Sequence, residues 1–294
     1  MKPAKFDYYA PTELTEALDL LRQHGGEAKI LAGGQSLVPM MNMRLARPAV
    51  VVDINRITSL DYLERTEDGG LKIGALTRQR TLERSSLVAE VNPLISEVVP
   101  YIGHFQIRNR GTVGGSIVHA DPAAELPALC SLFQAQVVVG STEGERVLTA
   151  EELYLTYFTT ALEPTEMLTE VRFPALSPDW GWGFQEVARR HGDFAMVGAL
   201  VLLQLNGDGT CRSVRITLFG VDGTPVRAVE AEEMLVGRRP DQDALEEAAR
   251  LVSEGLDPES DIHASAQYRK EVGGVLARRA LTSAISRAEG GSGV

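Results

Sequence analysis

Ile30-Leu31-Ala32-Gly33-Gly34-Gln35-Ser36-Leu37 and, about eighty residues further on, Thr112-Val113-Gly114-Gly115-Ser116 decide how this chain is read. Each stretch joins two adjacent glycines to a hydroxyl residue, and each borders an apolar run. Paired glycines open backbone conformations closed to other residues and let a ligand come close. Their successive N–H groups can then converge into a concave nest for an anion. One such loop says little, because Gly-Gly is common loop punctuation. Two of similar chemistry point to one extended ligand, such as a dinucleotide, held from both sides. Two ordinary turns are the plainer alternative.

Outward from the first loop, residues 28–32 read as a buried strand that delivers the chain into it. Residues 5–8 predict a short strand before that. A helix follows from Pro11-Thr12, capped by Thr12 or Thr15, with Leu14, Ala17, Leu18 and Leu21 as its apolar stripe. His24-Gly25-Gly26 ends it. Beyond the loop, residues 37–45 (LVPMMNMRL) predict a packed short helix rather than a Met-lined binding surface. Residues 49–54 are apolar throughout, as in a parallel or mixed sheet. Residues 1–55 thus form a small α/β unit.

The second loop lies inside a unit spanning 56–175. A hairpin is expected from residues 61–65 and 71–74 across Glu67-Asp68-Gly69-Gly70. Helices are expected at 77–85 and 91–99, with Pro93 in the first turn of the latter. Residues 134–139 and 167–173 read as strands, and 149–152 as a capped helix start. The Pro- and Gly-rich run PALSPDWGW marks a boundary, and 176–290 is the third unit. It holds strands at 182–189, 195–205 and 212–219, with Asn206-Gly207-Asp208-Gly209 turning between the last two. Helices at 228–235, 243–254 and 265–288 follow, the last with Tyr268, Val272, Val275, Leu276 and Leu281 along one side. The glycine-rich end, residues 290–294, predicts a mobile tail.

The 294 residues, 44% hydrophobic and 23% charged, are those of a soluble globular protein able to bury a sizeable core. A net charge of -11, from 29 basic and 40 acidic residues, argues against nucleic acid or an anionic membrane as partner. No apolar stretch reaches membrane-spanning length. The start, MKPAKFDYYAPTEL, lacks the apolar core of a signal peptide, so a cytoplasmic protein is expected. Cys130 and Cys211 are too few for an iron–sulfur cluster or a disulfide framework. His24, His104, His119, His191 and His263 show no metal-ligand spacing. No Ser/His/Asp or Cys/His arrangement stands out, and neither a catalytic residue nor a metal site is expected.

Three segments, ILAGGQSLVPMMNMRL (30–45), IRNRGTVGGSIVHADPAAELPA (107–128) and RRHGDFAMVG (189–198), together resemble the FAD-binding medium subunit of molybdenum hydroxylases. That family includes carbon monoxide dehydrogenase, nicotine and other N-heterocycle dehydrogenases, and the flavin domain of xanthine dehydrogenase. The resemblance spans essentially the whole chain. It implies an α+β, vanillyl-alcohol-oxidase-type (PCMH-type) fold: two α/β subdomains gripping FAD, and a C-terminal α+β domain covering it.

Matched by motif, the resemblance places Lys29, Ile30, Leu31, Ala32, Gly33, Gly34, Gln35 and Ser36 along the pyrophosphate and ribose. Thr112, Val113, Gly114, Gly115 and Ser116 close from the other side, and Ile102 and His119 lie beside the flavin. Glu125 stands where many members have an Asp on the adenosine side, one methylene shorter, and Asp121 is its neighbouring alternative. Leu168 and Gln185 match two further contact positions, Gln185 replacing a Lys of some relatives. Phe194 holds a place usually aromatic near the isoalloxazine.

In such a complex the chemistry on substrate belongs to a molybdopterin large subunit. A small subunit relays electrons through iron–sulfur clusters, and FAD passes them to an external acceptor. A dimer of heterotrimers is the implied assembly. A self-contained FAD oxidase is the nearest alternative, but it calls for an acid or base beside the flavin and a substrate domain. A non-enzymatic nucleotide-binding scaffold is the other.

Overall fold

Residues 2–290, described by a computed structural model, build three successive units, each around its own sheet. The mobile-tail expectation falls largely on residues 291–294, outside the described residues. In the first unit, β1 (Asp7–Tyr9), α1 (Leu14–His24), β2 (Ala28–Leu31), α2 (Leu37–Asn42) and β3 (Val50–Asp53) follow in order. The strands are parallel in the order β1-β3-β2. Ala17, Leu18 and Leu21 of α1 bury their stripe against Val50 and Val52, as helical spacing requires. Neither Thr12 nor Thr15 caps α1. Glu13 is the N-cap and makes no side-chain bond, while the Thr12 N–H donates to the Glu16 carboxylate at 3.3 Å.

The expectation for 37–45 needs correction. Only Met41 is buried, whereas Met43 and Leu45 are 51% and 71% exposed. A six-residue helix has few positions to bury, and the left-handed turn at Arg44 (φ 60°) swings the chain away after it.

The middle unit opens with β4 (Leu63–Arg65) and β5 (Leu71–Gly74), then α3 (Gln79–Arg84), α4 (Ser86–Val91), α5 (Pro93–Val98), α6 (Phe105–Arg108), α7 (Val113–His119) and α8 (Glu125–Phe133). Next come β6 (Gln136–Ser141), β7 (Gly144–Thr149), α9 (Ala150–Leu153), the small hairpin β8 (Tyr154–Thr156) and β9 (Thr159–Thr160), and β10 (Met167–Phe173). Its main sheet, β4-β5-β10-β6-β7, is antiparallel throughout. The helix expected over 91–99 is found with Pro93 in its first turn but starts two residues later, because the residue before a proline is pushed out of the helical region. Asn92 instead caps α5, its Oδ1 accepting from the Ile95 N–H at 3.3 Å, with Pro93 in the first turn. Helix α8 is buried at all nine positions. It has no polar face from which a helical period is easily read. Its Cys130 thiol is pushed up to about 12 by burial.

The third unit comprises β11 (Trp180–Val187), β12 (Val197–Leu205), β13 (Cys211–Phe219), β14 (Val226–Arg227), α10 (Val229–Leu235), α11 (Gln242–Gly255) and α12 (Ala266–Gly290). Strand β12 is apolar on both faces, and its two-residue period sorts them. Val197, Ala199, Val201 and Leu203 pack with the helices of their own unit. Leu200 and Leu202, with Phe184 and Phe219, join the core of the middle unit. The third sheet is therefore sandwiched between its helices and the middle unit. Helix α12 lies close against β11 because Gly181 and Gly183 carry no Cβ; one built there would stand 1.9 Å from the Ala284 and Ala280 carbonyl oxygens. Among the described residues no helix is long and apolar enough to cross a membrane.

Candidate functional site

The first glycine loop, residues 32–36, connects the end of β2 to α2. Gly34 has φ +71°, a region that favours glycine. Gly33 is buried for a different reason. A Cβ on it would sit 2.4 Å from the Arg110 carbonyl oxygen and 2.8 Å from the Gly111 Cα. The close approach at Gly33 is thus to the backbone leading into the second loop. The N–H groups of Gly33, Gly34, Gln35 and Ser36 donate to no acceptor among the described residues, and neither does the Ser36 hydroxyl. Gln35 turns its amide back onto the Gly33 carbonyl at 3.1 Å. Four successive free donors on a glycine-bearing turn suit an anion, and a diphosphate-bearing ligand fits this loop. Lys29 is exposed on β2, and Ile30, Leu31 and Ala32 are half-buried.

The second loop is built otherwise. Thr112 caps α7, and the N–H groups behind it are taken. Val113 donates to the Thr77 carbonyl and Gly114 to that of Ala75, both at 2.9 Å. Gly115 donates to Thr112 Oγ1, and Ser116 to the Thr112 carbonyl, both at 3.1 Å. The anion-nest reading therefore suits the first loop and not the second. Gly114 is needed for packing, a Cβ there meeting that of Ala75 at 2.8 Å. Gly115 is exposed and faces the first loop, its Cβ position 3.9 Å from that of Ala32. What the second loop offers a ligand is a bare backbone face beside the half-buried Ser116.

Two residues outside both motifs bind the loops together. Asn55 Nδ2 donates to the Ala32 carbonyl at 2.6 Å. Its Oδ1 accepts from Arg78 at 2.8 Å, and Arg78 also reaches the Arg110 carbonyl at 2.5 Å. Beside them Tyr8 donates to Asp53 at 2.7 Å. Burial pushes the Asp53 carboxyl up, but the hydrogen bonds from Tyr8 and Asn55 hold it below its ordinary value.

The third motif is drawn to the turn before the second. Gly192 (φ +87°) packs on this turn so closely that a Cβ would stand 2.5 Å from His104 Nδ1 and 2.9 Å from the Gly103 carbonyl oxygen. The His191 ring stacks on Tyr101 at 5.3 Å. Arg108, itself buried, clamps this turn from within, donating to the carbonyls of Ile102 and Gly103 at 3.0 and 2.7 Å. Its ion pair with Glu83 at 2.8 Å holds that carboxyl down to about 2. Phe194 stands 73% exposed.

Ile102 and Leu168 place their side chains in the apolar core. His119 is half-buried with its ring 5.3 Å from that of Phe158, and burial lowers its pKa. Glu125, the first residue of α8, is buried without an ion-pair partner among the described residues. Burial, then the charges of Glu186 and Asp121, raises it to about 8. Glu186, the neighbour of half-buried Gln185 on β11, has a buried Oε2 with no hydrogen-bond partner, and burial raises it to about 7. The third sheet thus sets a second carboxyl of raised pKa near Glu125. Sequence reasoning missed Asn55, Arg78 and Glu186, since single polar residues near strand and helix ends carry no motif, and it gave no role to Arg108, which stands inside the second motif.

Comparison with known proteins matches two successive segments of the chain to known families. Residues 4–176 match the family described as the FAD binding domain in molybdopterin dehydrogenase, and residues 182–284 match the CO dehydrogenase flavoprotein C-terminal domain. The 6-hydroxypseudooxynicotine dehydrogenase complex subunit alpha of Paenarthrobacter nicotinovorans is 42% identical, over 98% of this chain and 97% of that one. Caffeine dehydrogenase subunit beta of a Pseudomonas species is 40% identical, again over 98% and 97%. Among solved structures, a chain of carbon monoxide dehydrogenase from Hydrogenophaga pseudoflava superposes with a TM-score of 0.94 at 37% identity, covering 98% of this chain and 99% of that one.

Proposed function

The chain belongs to the FAD-binding subunits of the molybdopterin dehydrogenases, and from that premise we propose that it is the electron-transfer flavin subunit of a heteromeric molybdenum hydroxylase. The observation that carries this reading is the run of four free N–H donors over Gly33–Ser36, apposed to the bare backbone face at Gly115. FAD, when bound, supplies the redox chemistry, taking electrons relayed from an iron–sulfur partner and delivering them to an external acceptor.

This chain's own residues hold and shield it. The first loop, from Lys29 to Ser36, takes the pyrophosphate through backbone donors and the Ser36 hydroxyl. Thr112 to Ser116 closes from the other side, chiefly with the exposed Gly115 face and Ser116. His119, kept toward neutrality by burial, lies beside the flavin with Ile102 and Leu168, whose buried side chains leave their backbone to face it. Glu125, protonated near neutral pH, donates as well as accepts a hydrogen bond. Gln185 adds an uncharged amide, and the exposed Phe194 covers the ring system.

Residues 1–55 and 56–175 are the gripping subdomains, and 176–290 the covering domain. The partners are an iron–sulfur small subunit and a molybdopterin large subunit in a dimer of heterotrimers, in the cytoplasm. Substrate chemistry belongs to the large subunit.

Acid precipitation of the purified chain should release its yellow colour as FAD, since neither glycine loop holds a His or Cys to link it. Co-expressed with its partner subunits, the flavin should be reduced by an N-heterocycle, an aldehyde or carbon monoxide; alone, it should not. Rapid substrate-driven reduction in the isolated chain would replace this reading with a self-contained oxidase.

A further inference from the structure

We infer that Asn55 and Arg78 form a bridge that sets the spacing of the two glycine loops, which makes them positioning residues for the dinucleotide although neither lies in a glycine loop. That role presupposes the FAD reading above and adds what holds the cradle at its width. Asn55 stands two residues beyond β3 in the first unit; Arg78 precedes α3 in the middle unit. From the Ala32 carbonyl the path runs through Asn55 Nδ2 at 2.6 Å, Asn55 Oδ1 to Arg78 at 2.8 Å, and Arg78 to the Arg110 carbonyl at 2.5 Å.

Among the described residues no backbone hydrogen bond joins residues 31–37 to 107–116. The first loop is tied to its own unit, through the Ile54 N–H on the Leu31 carbonyl at 3.0 Å. The second is tied to the strand-to-helix turn beside it, through Val113 on Thr77 and Gln79 on Gly111, both at 2.9 Å. Between the loops themselves, Gly33 lies so near the backbone of Arg110 and Gly111 that a Cβ would not fit, and Gly115 faces Ala32, but no hydrogen bond among the described residues joins them directly. The bridge supplies that link.

The amide of Asn55 also has one workable orientation. Its nitrogen faces three acceptors, the Ala32 carbonyl at 2.6 Å, Asp53 Oδ1 at 2.7 Å and the Leu31 carbonyl at 3.5 Å, while its oxygen faces a guanidinium. Burial, then the charge of Arg110, lowers the pKa of Arg78, while Asp61 and Asp53 oppose that. Asp53 and Asp61 answer the guanidinium charge, whereas the four N–H donors of the first loop have no acceptor among the described residues, and a diphosphate supplies one.

The test titrates FAD into flavin-free wild type, Asn55→Ala, Arg78→Met and the double variant, following flavin fluorescence. Each single change should weaken FAD binding about tenfold, the size of one lost charge-assisted hydrogen bond. The double variant should be no weaker than the worse single one, because a path broken once is already broken. Arg78→Lys, with its charge kept and one donor in reach, should recover part of the affinity. Gly183→Ala, which strains the α12–β11 contact in another unit, should stay within about twofold of wild type, so lost stability alone does not imitate the effect. Should Asn55→Ala fail to fold, the Arg78 pair carries the comparison. A wild type that binds no FAD would sink the FAD reading itself. Binding in wild type with the single variants within about twofold of it, with losses that multiply in the double variant, or with an equal loss in Gly183→Ala, would overturn the bridge alone.

Discussion

Gly33→Ala asks whether the first loop's glycine is there for the ligand or for the second loop. The added Cβ would stand 2.4 Å from the Arg110 carbonyl oxygen, 2.8 Å from the Gly111 Cα and 3.0 Å from the Arg110 carbonyl carbon. All three are backbone atoms and cannot rotate away. Non-bonded carbon contacts are comfortable at about 3.5–4.0 Å, so the loops must part by about 1 Å. Overpacking of this kind costs about 1–3 kcal/mol. Gly33 does not use a left-handed φ, so alanine adds no backbone strain and stiffens the unfolded chain by about 0.4–1 kcal/mol. The balance is a loss of about 1–2 kcal/mol. Gly115→Ala is the matched control. Its Cβ would meet the Thr112 hydroxyl at 2.7 Å and the Ala32 Cβ only at an ordinary 3.9 Å. A weakened cap costs about 1 kcal/mol, and alanine in a helix returns about as much. Urea unfolding of the flavin-free chains should therefore show a loss for Gly33→Ala and almost none for Gly115→Ala, while FAD titration shows weakened binding in both. Gly33→Ala within about 0.5 kcal/mol of wild type would refute the loop-on-loop account.

Two further outcomes follow from the third sheet. Glu186 is raised to about 7 and Glu125 to about 8, against an ordinary 4.5, so the unfolded chain gives up these protons first; the stability these neutral carboxyls carry is whole below about pH 4.5 and is lost as pH rises through 7 and 8. Glu186→Gln should accordingly reduce the fall in Tm between pH 5.5 and 8.5, and an unchanged fall would count against the buried neutral carboxyls. Gly183→Ala, its Cβ 1.9 Å from the Ala280 carbonyl oxygen, should cost about 3 kcal/mol in urea unfolding by prising α12 off β11, and an unchanged midpoint would deny that contact.

Periodicity and punctuation carried most of the architecture. The α1 stripe, the Asn206–Gly209 turn and the β12 run were legible because each is a local pattern with one physical cause. Helix α8 was not, since burial on every side hides its period, and the helix holding Pro93 was placed two residues early because a proline acts on the residue before it. At the site, the glycine pairs were visible, but not which of them meets protein and which meets ligand. Gly33 and Gly114 look in sequence like ligand-facing glycines, yet a Cβ on either would stand within 3 Å of protein backbone or of another Cβ. The Asn55–Arg78 bridge spans residues 23 apart that share no motif. Nothing short of the fold brings them together.

The three units are not joined alike, and that difference bears on what the cradle can do. Phe184, Ala195, Leu200, Leu202 and Phe219 of the third unit run into the core of the middle one. Trp182 donates to Glu97 at 3.0 Å, and Arg287 pairs with the same carboxylate at 2.9 Å, fastening the joint from outside. The first unit's core instead takes in only a few residues from beyond β3, among them Leu76 and Met167. Around the first glycine loop its hold on the middle unit narrows to close glycine packing and the Asn55–Arg78 bridge. The free donors of Gly33–Ser36 therefore sit on the more weakly fastened side of the cleft, opposite a face anchored in a continuous core. A diphosphate held by those donors against that face adds contacts where the protein's own are fewest, so ligand binding and the joining of the first two units reinforce each other.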